Sequence, residues 1–209
     1  QRKMVMPDAI NMTEYNQNIN SYIKNNEIVR AAQIVSKYGS NALSQIYIKA
    51  AVKQAKNTTD VYGVVGAIAK SNNVHHTTWA AKSAMQKHVL MKNHAFPTPY
   101  KLSKLPVETP LTYSIIRQES VFDQHAISSA QARGLMQLIK PTACDTAKLV
   151  GVRCRISKLT TDPNYNIKLG SNYINQMIDD YDGSYILAIA SYNGGPHNVD
   201  KWLKIFGDP

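Results

Sequence analysis

The run "IIRQES", residues 115–120, sets a glutamate directly behind two isoleucines. An apolar helical run that needs only a solvated polar face has no use for Gln118-Glu119-Ser120 at that point. A carboxyl pressed against Ile115 and Ile116 loses solvation of its anion, so its pKa rises and it keeps its proton near neutrality. Glycosidic cleavage asks for such a group, because the leaving oxygen departs poorly until it is protonated. The competing reading is an ordinary solvated acid at a helix end. Most glycosidases add a second carboxylate within about 10 Å, as nucleophile or to activate water. Asp123, four residues on, is the acid nearest Glu119 in the sequence. It reads better as a polar residue where the helix runs out, which leaves the nucleophile to the substrate.

Glu119 stands in a longer pattern. "RQESVFDQHAISSAQARGLMQL" is followed by "LTTDPNYNIKLGSNYI" and then by "ASYNGGPHNVDKWL". Over about residues 109–207 these motifs, in this order and at this spacing, resemble the catalytic domain of the soluble lytic transglycosylases. The resemblance implies a lysozyme-like fold and cleavage of peptidoglycan between N-acetylmuramic acid and N-acetylglucosamine. It implies a 1,6-anhydromuramoyl end formed without adding water, in a periplasmic protein, with no metal and no organic cofactor. Glu119 takes the family's acid/base position. Ser128 matches a serine that contacts the muramoyl N-acetyl group, and Gln137 a glutamine lining the same groove. Tyr192 and Asn193 match a pair whose tyrosine lies close to the catalytic carboxyl, and Tyr173, in "SNYI", matches a further groove tyrosine. The family often carries Met where this chain has Ile139 and Ala where it has Gly194, both conservative departures. A further segment usually follows this region in the family and helps close the groove. The chain stops at Pro209, so the contacts made by that segment are expected to be missing.

Each residue also has a plainer explanation. Ser128 suits a turn in "ISSA", Gln137 a buried structural amide, and Gly194-Gly195-Pro196 a helix end followed by a helix start. Tyr192 is explained by none of these. Met136 and Trp202 read as core. Two rival functions stay open: a hydrolysing muramidase on the same fold, and a wall-binding or scaffold protein that keeps the groove without turnover. An intact Glu119 with Ser128 and Tyr192 weighs against the second.

The elements that must position these residues are helices, so the fold class is mainly α. In the first half, helical spacing and punctuation predict helices at 27–38, about 42–56, 60–70 and 77–92, as antiparallel hairpins or the end of a solenoid. This half resembles, more loosely, the superhelical region preceding the catalytic domain in the large periplasmic family members. Pro97, Pro99, Pro106 and Pro110 mark a linker over 93–110. The expected organisation is a helical region over 1–100 and a catalytic domain over 101–209. In the second half Thr109-Pro110, Pro141, Asp162-Pro163, Ser184 and Pro196 open helices, and Gly151, Gly183, Gly194-Gly195 and Gly207 close them. The stretch 123–140 is the least helical and suits a short irregular β element.

The formal charge of +10 is uneven. Residues 1–100 hold 12 Lys+Arg against 4 Asp+Glu, giving +8, and residues 101–209 hold 12 against 10, giving +2. The lysines sit singly, without a dense stripe or interleaved aromatics, which argues against nucleic acid and fits an anionic wall polymer better. No stretch approaches the roughly 18 apolar residues of a membrane span. The six histidines supply no partners at ligand spacing for the two cysteines, so no metal site is expected. The adjacent His75 and His76 would not share a helix face and read as surface residues. Cys144 and Cys154 leave a disulfide and a pair of buried thiols both open. Gln1 is not an initiator, so the chain reads as a processed or engineered piece. Sequence names no protein partner.

Overall fold

The computed structural model describes residues 20–102 and 104–207. About two-thirds of the chain is helical, as expected. The chain separates into two compact units, Gln1–Pro99 and Tyr100–Pro209.

In the first unit, helical residues 20–25 precede α1 (Glu27–Tyr38), α2 (Asn41–Gln54), α3 (Thr58–Ala69), α4 (Val74–Met85) and the short α5 (Lys92–Ala95). Each of the four long helices starts at a side chain that accepts from an otherwise unpaired backbone N–H. These caps are Asn26, Ser40, Asn57 and Asn73. Asn73 starts α4 before Thr77, the start expected from periodicity, and the helix ends at Met85. The core is made of Val29, Ile48, Val64, Val65 and Ile68, with Ala32, Ala51, Ala80, Ala81 and Ala84 letting the helices approach closely.

The expectation that His75 and His76 lie at the surface is wrong. They are 7% and 1% exposed. Nδ1 of His76 lies 2.9 Å from the Ser36 carbonyl oxygen and Nε2 2.9 Å from Asn41 Oδ1. The reason is packing on two sides: α4 contacts both α2 and α3, so adjacent positions on it are both covered.

The second unit holds α6 (Thr109–Glu119), α7 (Lys140–Leu149), the short α8 (Lys158–Thr161), α9 (Pro163–Asp180), α10 (Tyr185–Gly194) and α11 (Pro196–Phe206). Proline stands in the first turn of α6, α7, α9 and α11, where no intrahelical N–H bond is lost. The Tyr185 hydroxyl donates to Glu108 at the head of α6 and ties it to the head of α10. Between α6 and α7 the chain is irregular. Its only β character among the described residues is two isolated antiparallel bridges, Ile127 with Arg133 and Arg133 with Leu138. A disulfide joins Cys144 on α7 to Cys154 in the loop beyond it. Met136 is fully buried, as expected, but Trp202 is 46% exposed. It sits on α11, which buries only Val199, and its ring rests against Gly194 at the edge of the unit.

Candidate active site

Glu119 is the last residue of α6 and is half-buried. Ile115, one turn earlier, lines the same cavity, while Ile116 faces inward and is fully buried. Burial raises the pKa of the Glu119 carboxyl, and no hydrogen bond from the described residues offsets it. The carboxyl is therefore an acid biased towards its protonated form.

A cleft of about 500 Å³ opens beside it, lined by Glu119, Ser128, Gln137, Tyr173, Tyr192 and Asn193 together with Thr142 and Ile139. Every site residue expected from the motifs thus faces one cavity. A second cavity of about 370 Å³ shares Glu119, Tyr192 and Asn193 and continues past them along Leu111, Ile115, Gln118 and Ile189. Glu119 stands where the two meet, as a group must if it is to reach a bond between two sugar units. Among the described residues lining both cavities it is the only carboxylate. Asp123 lines neither, and its Oδ1 accepts from the His125 N–H at 2.9 Å in the turn after α6.

The irregular 121–139 segment forms much of the wall. Gly134 has φ +74°, and a Cβ there would lie 1.9 Å from the Leu159 carbonyl oxygen and 2.4 Å from Asn166 Nδ2. Only glycine fits. Ser120, next to the acid, donates its hydroxyl to the Leu135 carbonyl at 2.8 Å. Gln137 is both of the things its sequence allows. Its Nε2 donates to the Gly134 and Ala126 carbonyls at 2.9 and 3.3 Å, leaving Oε1 as an acceptor beside the cleft. Ser128 likewise serves a turn, its Oγ accepting from the Ala132 N–H at 3.1 Å. That bond uses a lone pair and leaves the hydroxyl proton for a ligand.

Tyr192 donates its hydroxyl to the Met136 carbonyl at 2.7 Å, and its ring packs against Tyr173 with centroids 5.3 Å apart. Burial, then the charge of Glu119, holds its pKa well above that of a free phenol, so it is a neutral donor. Burial also raises Tyr173, with Asp180 adding to it. Among the described residues no cluster of three or more His, Cys, Asp or Glu could hold a metal ion. Sequence reasoning missed Asn166. It is fully buried and meets two backbone groups of this wall, at Met136 and Arg133, and the Leu159 carbonyl on α8. It also missed Thr142 and the second cavity, whose lining mixes apolar positions such as Leu111 and Ile189 with Ser114 and Gln118.

The family model described as Transglycosylase SLT domain matches residues 99–209. Over 99 residues the chain is 34% identical to the soluble lytic murein transglycosylase of Escherichia coli K12, covering 46% of this chain and 15% of that protein. The chain spans about a sixth of the length of the first curated relatives that it matches. In fold it is similar to the 70 kDa soluble lytic transglycosylase of Escherichia coli, with TM-score 0.69 and 22% identity over 90% of this chain and 31% of the other. It is also similar to an inactive Glu-to-Gln mutant of the lytic transglycosylase Slt from Pseudomonas aeruginosa, with TM-score 0.74 and 22% identity over 97% of this chain and 32% of the other.

Proposed function

The chain belongs to the family of SLT-domain transglycosylases, and on that premise we propose that residues 101–209 cleave the glycan strand of peptidoglycan without hydrolysis. The observation that carries this reading is Glu119, an acid with a raised pKa and, among the described residues, no second carboxylate in either adjoining cavity. Most hydrolysing glycosidases use a second carboxylate, as nucleophile or to activate water. Here the same glutamate serves twice. It first protonates the bridging oxygen, and the C1–O bond to the muramoyl unit breaks, with the N-acetyl oxygen or the ring oxygen carrying the positive charge at C1. The resulting carboxylate then takes the proton of the C6 hydroxyl while that oxygen bonds to C1. Glu119 ends protonated, no water enters, and the product is a 1,6-anhydromuramoyl end.

The roles follow from what each side chain has left to offer. The Ser128 proton suits the N-acetyl carbonyl, the Gln137 Oε1 accepts from a sugar hydroxyl or amide, and Tyr173, Tyr192 and Asn193 line the floor and rim. That the Pseudomonas neighbour is inactive with one glutamate changed to glutamine supports a mechanism that needs a glutamate. Peptidoglycan lies outside the cytoplasm, and the Cys144–Cys154 disulfide suits an oxidising compartment, so we assign the protein to the periplasm. Residues 1–100 hold it to the wall.

Glu119→Gln keeps the shape of the side chain but has no proton to transfer. It is expected to lower the rate of sacculus solubilisation by at least ~100-fold while still binding glycan. Wild-type activity in that variant would remove Glu119 from the mechanism.

A further inference from the structure

Asn166 lies in the first turns of α9, 0% exposed, and its amide makes three hydrogen bonds to backbone. Oδ1 accepts from the Met136 N–H at 2.9 Å, while Nδ2 donates to the Arg133 and Leu159 carbonyls, each at 3.0 Å. Two acceptors on one side and a donor on the other fix the amide's orientation, because the flipped form would oppose like groups. The peptide between Leu135 and Met136 is held at both ends, by Ser120 Oγ on the carbonyl and by Asn166 on the N–H. Beyond it the Met136 side chain is buried against Gly170, where a Cβ would lie 2.4 Å from its sulfur. The next peptide, which carries the Met136 carbonyl, is held in turn by the Gln137 N–H donating to the Gly134 carbonyl at 3.2 Å. The Met136 carbonyl receives the Tyr192 hydroxyl proton at 2.7 Å.

This matters because Tyr192 has one proton and lines both cavities that meet at Glu119. Turned towards the carboxylate, that proton would stabilise the anion and weaken the acid. We propose that Asn166 is a positioning residue: by holding the Met136 backbone it fixes the carbonyl that takes the Tyr192 proton, and so keeps that proton from Glu119. The raised pKa of Glu119, with burial as its only resolved cause, is consistent with this. The other titratable group lining the two cavities is Tyr173, and no Lys, Arg or His lines either among the described residues. Arg117 on the same helix and Asp123 beyond it lie outside both linings.

The proposal rests on Glu119 being the acid of the proposed reaction, and its test begins without substrate. In NMR spectra of the wild-type protein the Tyr192 hydroxyl proton, identified by its loss in Tyr192→Phe, should exchange slowly. It should stay on the Met136 carbonyl as Glu119 ionises, keeping its slow exchange and moving only slightly with the nearby charge. Loss of slow exchange or a large downfield move as Glu119 ionises, the sign of a proton turned to the carboxylate, would overturn the proposal, whatever the protein does to sacculi. Inactivity of the wild-type protein on sacculi would instead count against the transglycosylase reading. In folded Asn166→Ala, the basic limb of kcat/KM against pH should move to lower pH by ~0.5–1 unit, because the freed tyrosine then stabilises the Glu119 anion. The same substitution in a Tyr192→Phe background should produce no such shift. A uniform rate loss with an unmoved basic limb would make Asn166 merely structural. If Asn166→Ala does not fold, the wild-type titration decides alone.

Discussion

At Glu119 the carboxyl is partly buried with no donor among the described residues, so its anion is worse solvated in the folded chain than in the unfolded one. The folded state thus binds the proton more tightly. Stability from this group is full below the unfolded carboxyl pKa of about 4.3 and is lost as pH rises through the raised folded value. Glu119→Gln never ionises, so the variant should gain thermal stability over wild type as pH rises from about 4 to 8. Melting temperatures across that range check it, and a difference that does not change with pH would contradict the burial account. At Ser128 the free hydroxyl proton should be worth a hydrogen bond of ~1–1.5 kcal/mol to substrate, so Ser128→Ala should lower kcat/KM about five- to tenfold. An unchanged kcat/KM would leave Ser128 with its turn alone. The residues that line the cleft beside Glu119 were the legible ones, because their types and spacing carry the motif pattern. Asn166 was not, since two of its three partners are backbone groups of a distant loop, and an asparagine in a helix announces none of them.

Helix starts were readable where a proline or a recognised cap fixes them, and were placed late at Asn57 and Asn73, whose caps were not recognised. Asp162, Ser184 and the first-turn prolines mark the observed starts closely. Where a buried position depends on what packs around it, the reading failed. His75 and His76 share α4 with two neighbouring helices, and Trp202 stands on a helix with one covered residue, neither of which periodicity reveals. The 121–139 wall was legible only as non-helical. Its course depends on long-range bonds from Ser120, Asn166 and Tyr192 and on the space that Gly134 leaves. The disulfide, left open by the sequence, closes a short loop between α7 and its successor segment. Cys144→Ser should cost ~2–3 kcal/mol, mainly by freeing the unfolded chain. Urea unfolding of the variant and of the oxidised wild type measures this, and coincident midpoints would mean that the bridge contributes nothing.

As a whole molecule the chain joins a strongly basic helical unit to a nearly balanced one that carries the cleft. If the basic unit retains the protein on an anionic wall, sacculus binding should weaken as salt rises towards physiological ionic strength, where screening acts over about 8 Å. A chain beginning at Leu105 should bind sacculi less at low salt and still cleave soluble glycan. Binding that is indifferent to salt would remove the electrostatic role. What the whole molecule releases from sacculi tests the central claim most directly. Mass spectrometry of the muramoyl ends should find them about 18 Da lighter than hydrolytic ends, because one water is not added. Predominantly reducing muramic ends would contradict the account and make this protein a hydrolysing muramidase.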